Sequence, residues 1–191
     1  MAFIAAQAAG QDWSIPGAPS ADIKTDVDEL AYFDAVIDDA AKRFAIDRTR
    51  LMATGFSSGA MMVWHLACHR GAAFAGFAPM SGTFWAPVPQ SCPSGPVDLI
   101  HYHGDADPVV PLKGRPIGDA HQGDVKQAIE MMVRLGDFQP VKLEQTAGLD
   151  CSEWQSGGGK ALQFCLFSGG HKMKAKHISR AWRSFMSQDG G

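Results

Sequence analysis

Short apolar runs alternate along the chain with longer segments whose apolar residues recur every three or four positions, as they do in β-α-β units. The short runs predict strands at residues 3–7, 50–54, 74–80, 97–103, 141–146 and 162–167. The helical spacing predicts helices at residues 26–44, 58–68, 124–135 and 174–186. Three glycines at 157–159 predict a hairpin turn between Trp154 and Ala161. The pattern therefore predicts an α/β protein with a mostly parallel sheet flanked by helices.

The composition indicates a soluble globular protein with a single domain over residues 1–191. Hydrophobic residues make up 46% of the chain, charged residues make up 19%, and the formal net charge is -3. Lysine and arginine form no stripe, which argues against a nucleic-acid partner. The apolar runs are far shorter than the roughly 18 residues that a membrane span needs. The apolar start at 1–6 lacks a basic segment, so we interpret it as a buried strand and not as a signal peptide.

Four cysteines stand at positions 68, 92, 151 and 165. They have no zinc-like spacing with one another or with histidine, so they indicate no metal site. The even number is compatible with two disulfides in an oxidising compartment, and equally with four buried thiols.

The strongest chemical motif is Gly55-Phe56-Ser57-Ser58-Gly59, which fits the pattern G-x-S-x-G. In such an elbow the serine sits on a tight strand-to-helix turn, and the two glycines are expected to avoid Cβ clashes. The N–H of Ser58 is then a donor to an oxyanion. A glycine-rich turn without chemistry is the alternative, but the predicted strand before it and helix after it favour catalysis. The glycine spacing centres on Ser57, so Ser58 is not the expected nucleophile.

A serine nucleophile needs a base and an acid, which follow it in the order Ser, Asp or Glu, His in this type of protein. Asp105 and Asp107 both lie in the loop after the predicted strand at 97–103. We favour Asp107 as the acid because the rigid segment 108–111 follows it. Asp105 is expected to be a turn residue that caps backbone N–H groups.

Of the seven histidines, His171 is the predicted base, because it follows the last predicted strand and a Ser-Gly-Gly loop. His177 is expected on the surface of the last helix among lysines, and His121 comes too early in the chain. Packing or surface roles are expected for the remaining four, with His103 supporting the acid loop; these are His65, His69, His101 and His103.

Aromatic side chains near the elbow in sequence are candidates for an apolar acyl or aryl pocket. The main candidates are Phe56 and Trp85, and Phe84 and the apolar side chain of Met61 are further candidates. Ordinary core packing is an equal alternative for each of them.

The motifs together resemble the polyhydroxybutyrate depolymerase and feruloyl esterase family of secreted α/β-hydrolases. The stretches that carry the resemblance are residues 46–51, 54–62, 66–68, 74–79, 81–87, 103–111 and 169–171. The resemblance implies an α/β-hydrolase fold, the roles of nucleophile, acid and base for Ser57, Asp107 and His171, and no cofactor. It also implies disulfides Cys68–Cys92 and Cys151–Cys165, and a secreted or periplasmic location.

This chain departs from the family in two places. The family has strands before the first one predicted here, and a His-Gly loop after one of them supplies a second oxyanion donor. We therefore expect a fold reduced at the N-terminus, with an exposed sheet edge that favours a homodimer. In addition, Lys172-Met173-Lys174 follows the base where the family has an aromatic residue and a proline.

The sequence thus predicts a serine carboxylic-ester hydrolase that works through an acyl-enzyme. Its expected substrates are short-chain esters, feruloyl or acetyl esters, or hydroxyalkanoate polyesters, with no nucleic-acid or membrane partner. The alternative hypothesis is a non-catalytic relic of the fold that acts as a binding protein. A cysteine nucleophile is excluded, because serine occupies the elbow.

Overall fold

The computed structural model describes residues 2–10, 12–19, 27–141, 146 and 148–187. Its strands are β1 (Met52–Phe56), β2 (Gly76–Met80), β3 (Leu99–Gly104), β4 (Pro116–Ile117), β5 (Ala120–His121), β6 (Gln139–Val141), β7 (Asp150–Gln155) and β8 (Ala161–Phe167). Its helices are α1 (Glu29–Arg43), α2 (Ser58–His69), α3 (Val125–Leu135) and α4 (Ala175–Met186). In the part of the chain described, no helix is both long enough and apolar enough to span a membrane.

Six strands form one sheet in the order β1-β2-β3-β8-β7-β6, and β4 pairs with β5 separately. The strands β1, β2, β3 and β8 run parallel, whereas β7 and β6 are antiparallel additions beyond β8. The predicted hairpin turn at 157–159 is confirmed, because Gln155 pairs with Ala161 on either side of it. This is the mostly parallel sheet that the sequence predicts.

Helices cover both faces of the sheet because successive strand residues point to opposite sides. Phe77, Leu99 and Phe164 belong to the cluster that includes the buried residues of α2 and α3. Their neighbours along the strands point the other way and pack with Ala181 and Phe185 of α4. The elbow that joins β1 to α2 is therefore held between a strand and a helix that both contribute to one core.

Side-chain caps fix the starts of two helices within three residues of the predicted bounds. The Asp28 carboxylate accepts hydrogen bonds from the N–H groups of Leu30 and Ala31, so α1 begins at Glu29. Asp124 caps α3 in the same way. A salt bridge from Asp34 of α1 to Arg70, with N···O 3.0 Å, ties α1 to the end of α2.

The described strands differ from the predicted ones in several places. Residues 3–7 form no strand, because no described strand pairs with this segment to satisfy its backbone N–H and C=O groups. The side chains of Phe3 and Ile4 are 71% and 60% exposed, so the segment is not buried as predicted. The strand β7 is absent from the prediction because its side chains alternate with polar residues on the exposed face, which leaves no continuous apolar run. Where the sequence predicts a strand at 141–146, the described strand is Gln139–Val141, which begins two residues earlier, and residues 142–145 lie outside the described residues.

Both disulfides implied by the family resemblance are confirmed. Cys68 at the end of α2 is bonded to Cys92 in the loop before β3. Cys151 and Cys165 are bonded across directly paired positions of β7 and β8. Each closes a loop of the unfolded chain, which typically stabilises a fold by about 2–4 kcal/mol.

The expectation that His177 lies on the surface is wrong. Its ring is 2% exposed and stacks on Tyr102, with centroids 4.5 Å apart, and neither ring nitrogen has a hydrogen-bond partner among the described residues. The position follows from the helical period, which places His177 on the same face of α4 as the buried residues Ala181 and Phe185. Burial, with the nearby charges of Lys174, Lys176 and Arg180, lowers the pKa of His177 to about 4.

We predict that His177→Phe makes the fold less sensitive to acid. Between pH 6.5 and about 4 the unfolded chain protonates His177 and the folded protein does not, so the free energy of unfolding falls as the pH falls. At low pH, keeping His177 unprotonated in the folded protein lowers the free energy of unfolding by about 3 kcal/mol. Phenylalanine retains the ring stack and does not titrate, so this loss of stability is removed. Urea unfolding at pH 4.5 and pH 7.5 measures the difference, and an unchanged pH dependence in the variant would contradict the assignment.

Candidate active site

Ser57 occupies a strained turn between β1 and α2. Its backbone angles are φ 55° and ψ -121°, outside the region that side chains other than glycine usually adopt. Such a conformation costs about 1–3 kcal/mol and persists only where its surroundings enforce it. Here the Ser57 N–H donates to the Met80 carbonyl of β2 at 3.0 Å. The Ser57 side chain makes no capping hydrogen bond to α2, so the hydroxyl is not used to start the helix.

The first turn of α2 directs backbone N–H groups towards the elbow. Ser58 and Gly59 are the first two residues of the helix, and the first N–H groups of any helix lack partners within it. The helix dipole adds a partial positive charge at the same end. Negative charge that develops beside Ser57 is therefore stabilised there.

Only one of the two elbow glycines is required by close packing. A Cβ on Gly55 would overlap the Gly59 carbonyl group, so the turn cannot close around a larger residue. A Cβ on Gly59 would meet no atom within 4 Å. The expectation that both glycines avoid clashes is confirmed for Gly55 and wrong for Gly59.

The carboxylate of Asp107 is buried and points at His171. Its Oδ1 accepts hydrogen bonds from the N–H groups of Val109 and Val110, both at 2.9 Å. Its Oδ2 accepts from Nδ1 of His171 at 2.8 Å. Burial raises the pKa of Asp107, but the Val110 N–H, His171 and the Val109 N–H together hold the pKa below its ordinary value. Asp107 is therefore an anion whose charge is directed at one imidazole.

The ring of His171 lies next to the elbow. Because Asp107 accepts from Nδ1, that nitrogen carries a proton, and Nε2 is the other ring nitrogen, through which His171 can exchange a proton with a nucleophile. The rings of His171 and Phe56 have centroids 4.5 Å apart, and Phe56 immediately precedes Ser57. The structure thus brings together the predicted acid, the predicted base and the residue beside the predicted nucleophile.

The loops that carry the acid and the base are joined by their backbones. The Asp105 carboxylate accepts from the Gly169 N–H at 2.9 Å, and the Ala106 N–H donates to the Gly169 carbonyl at 3.0 Å. A Cβ on Gly104 would overlap the Gly170 carbonyl. Asp105 is thus the capping residue that the sequence predicts, and it caps the loop of the base.

Two buried histidines extend from β3 to the acid loop. Nε2 of His103 lies 2.8 Å from the Val110 carbonyl oxygen and 3.6 Å from Oδ2 of Asp107. Nε2 of His101 lies 2.9 Å from Nδ1 of His103. Burial lowers the pKa of both rings, that of His101 well below its ordinary value, so both are neutral. The sequence predicts packing roles for them, with His103 near the acid loop, but not their connection.

The remaining histidines take no part in this arrangement. His65 and His69 lie one turn apart on α2 with ring centroids 4.5 Å apart, and burial lowers the pKa of His65 to about 4. His121 lies on β5 beside the Gln122 carbonyl. Within the described residues, no group of three or more histidine, cysteine or acidic side chains is arranged to hold a metal ion.

The two aromatic pocket candidates lie in different environments. Phe56 is half-buried beside His171, where an acyl or aryl group could reach it. Trp85 is 7% exposed and belongs to the core cluster, and its backbone bridges to Gln122. A pocket role for Phe56 stays a prediction, and the structure favours core packing for Trp85.

Comparison with known proteins places the chain in a family. A family model described as phospholipase/carboxylesterase matches residues 19–130, a stretch that contains Ser57 and Asp107. The chain belongs to the phospholipase/carboxylesterase family.

Curated proteins similar to this family member include feruloyl esterases. The chain is 35% identical to "Probable feruloyl esterase C" of Aspergillus flavus over 174 residues, which cover 85% of this chain and 59% of that protein. It is 34% identical to feruloyl esterase C of Emericella nidulans over 92 residues, 47% of this chain and 33% of that protein. The chain spans 30% to 59% of the length of the first curated relatives that it matches. The predicted resemblance to feruloyl esterases is confirmed.

Solved structures confirm the α/β-hydrolase fold. Acetyl xylan esterase from Aspergillus awamori aligns with a TM-score of 0.59 over 82% of this chain and 67% of that chain, at 15% identity. The Bacillus cereus carboxylesterase aligns with a TM-score of 0.53 over 83% of this chain and 59% of that chain, at 14% identity. At such identities the likeness concerns the fold alone.

We predict that Gly55→Ala lowers the free energy of unfolding by about 1–3 kcal/mol, since the new Cβ forces the elbow open. Gly59→Ala is the matched control, because its Cβ enters open space in the first turn of a helix. Its stability is expected to remain or to rise by up to about 1 kcal/mol. Urea unfolding followed by circular dichroism measures both variants, and equal destabilisation would contradict the special role of Gly55.

Proposed function

We propose that this protein is a serine carboxylic-ester hydrolase with Ser57 as nucleophile, His171 as base and Asp107 as acid. The observation that carries the proposal is the 2.8 Å hydrogen bond between Asp107 and Nδ1 of His171, formed beside the strained turn of Ser57. With Nδ1 bonded to Asp107, Nε2 is the ring nitrogen of His171 that remains to accept the serine proton, as an activated serine requires. Membership of the phospholipase/carboxylesterase family supports the same chemistry.

The proposed reaction has two halves that pass through an acyl-enzyme. His171 takes the proton of Ser57 at Nε2 while Oγ attacks the ester carbonyl carbon, and Asp107 stabilises the imidazolium. The N–H of Ser58 stabilises the oxyanion. The carbon–oxygen bond to the alcohol then breaks, and the alcohol leaves with the proton from His171. Water attacks the acyl-enzyme with His171 again as base, and the acid is released from a regenerated Ser57.

The proposed substrates are esters with a small or aromatic acyl group. The names of the curated relatives favour feruloyl esters, and Phe56 beside His171 offers an apolar ring to such a group. Acetyl esters carry a smaller acyl group and belong to the same reaction class. Short-chain esters and hydroxyalkanoate polyesters belong to the same reaction class. The two disulfides favour a secreted or periplasmic location, because disulfides persist in oxidising compartments.

We predict that the wild-type protein hydrolyses p-nitrophenyl esters and that Ser57→Ala reduces kcat to background. A panel from acetyl to octanoyl esters, together with methyl ferulate, ranks the acyl groups. A fluorophosphonate probe is expected to label the wild type and not Ser57→Ala, because it reacts with an activated serine. Absence of both turnover and labelling in a folded wild-type protein would favour the non-catalytic relic instead.

We predict that Asp107→Asn lowers kcat by about 10⁴-fold, because an amide at this position favours the wrong tautomer of His171. Asp105→Asn is the matched control, since its remaining carbonyl oxygen can still accept from Gly169. Its kcat is expected to stay close to that of the wild type. Steady-state kinetics on the preferred ester separates the two, and a larger loss in the Asp105 variant would reverse the assignment of the acid.

A further inference from the structure

We infer that His103 is a positioning residue for the candidate acid, and that His101, by donating to Nδ1 of His103, stabilises the tautomer in which His103 acts. The inference rests on the proposed function, in which Asp107 must hold His171 in one orientation. It concerns two buried side chains on β3 whose hydrogen bonds lead to the acid loop. Their role is to fix the backbone that supplies the donors to the Asp107 carboxylate.

The first step is the bond from His103 to the acid loop. The Val110 residue is 1% exposed, so its carbonyl oxygen needs a partner inside the protein, and Nε2 of His103 supplies it at 2.8 Å. The N–H of the same Val110 donates to Oδ1 of Asp107 at 2.9 Å. One ring on a rigid central strand therefore holds the residue that in turn holds the carboxylate. Loss of this bond would leave the buried Val110 carbonyl without a hydrogen-bond partner and would allow the acid loop to move.

The second step is the tautomer of each ring, which the acceptors determine. A carbonyl oxygen only accepts, so Nε2 of His103 must carry the proton. Burial lowers the pKa of His103, so the ring is neutral and its Nδ1 is an acceptor. Nε2 of His101 must then donate to that Nδ1. The donors run in one direction, from His101 through His103 to the acid loop.

The third step explains why a neutral histidine suits this position. Nε2 of His103 lies 3.6 Å from Oδ2 of Asp107, whereas His171 lies 2.8 Å from the same oxygen. At 3.6 Å the N–H of a neutral ring adds a favourable dipole without a competing hydrogen bond. A cation at the same place would form a buried ion pair with Asp107 and weaken its bond to His171. The ionisable groups that face His103 are His101 from its own strand, Asp107 from the acid loop and His171 from the base loop.

The decisive experiment compares two amide variants of the same residue. In His103→Gln the amide nitrogen can reach the position of Nε2 and donate to Val110. In His103→Asn the amide is held near the position of Nδ1, too short to reach that carbonyl. Both variants bury a neutral amide, so a general loss of packing affects them alike. His177→Phe, at a buried histidine that packs on α4 and not on the acid loop, is the control for disturbance of a core histidine.

Two readouts are measured on each variant. One is kcat and KM on the preferred p-nitrophenyl ester, with kcat divided by the fraction of sites that react with the fluorophosphonate probe. The other is the deshielded proton resonance of the His171 Nδ1–H, which reports its hydrogen bond to Asp107 without turnover. We expect His103→Asn to lose about ten- to a hundredfold in kcat with KM unchanged, and to lose the resonance. His103→Gln is expected to recover most of both, and His177→Phe to retain both.

Two outcomes would overturn the inference: equal kcat in the glutamine and asparagine variants, or an unchanged His171 resonance in His103→Asn. The variant His101→Phe tests whether His101 stabilises the tautomer of His103. We expect it to shift the His171 resonance and to lower kcat. The role of His101 is refuted if neither quantity changes. A wild type that hydrolyses no ester, is not labelled and yet shows a resonance dependent on His103 would refute the proposed function and support the positioning. Full esterase activity in the wild type, together with either of the two overturning outcomes, would support the proposed function and refute the positioning role of His103.

Discussion

The pairing of β3 with β8 is the constraint on which the candidate site depends. The two strands are parallel, and their register ends with Gly104 opposite Phe167. Parallel strands release their following loops at the same edge of the sheet. The acid loop and the base loop therefore start side by side, although Asp107 and His171 are 64 positions apart in sequence. Backbone hydrogen bonds between the loops then convert this proximity into a fixed orientation.

The nucleophile reaches the same edge by a different route. β1 is two strands away from β3, and its last residue, Phe56, is paired with Met80 of β2. The Met80 carbonyl then receives the Ser57 N–H, so a neighbouring strand enforces the strained angles of the elbow. The energy that holds this strain comes from the buried core beneath α2, whose side chains pack between the helix and the sheet. The chemistry at the edge thus depends on packing that lies well below it.

The sequence indicates the candidate chemical residues more directly than it indicates their surroundings. The elbow could be recognised because Gly55 and Ser57 obey local steric rules between a strand and a helix. The choice of Asp107 over Asp105 agrees with the geometry because the rigid segment after Asp107 supplies two N–H donors. The disulfide partners came from the family resemblance, since spacing alone does not determine pairing.

Features that depend on tertiary contacts could not be predicted in this way. His177 resembles a surface residue beside its lysines, and only the helical phase relative to Phe185 shows that it is buried. β7 lacks a continuous apolar run because one of its faces is exposed, although it pairs with β8 along its whole length. The contact of His103 with the acid loop depends on the Val110 carbonyl, whose position next to β3 no local pattern indicates.

The disulfide between Cys151 and Cys165 makes the region of the candidate base sensitive to the redox conditions around the protein. It staples β7 to β8, the strand from whose end the loop of His171 emerges. Closing a loop of this length is worth about 3 kcal/mol to a fold. In a reducing environment the fold loses that stabilisation at β8, the strand that precedes the loop of His171. The stability of the strand that precedes His171 therefore depends on whether the compartment oxidises these two thiols.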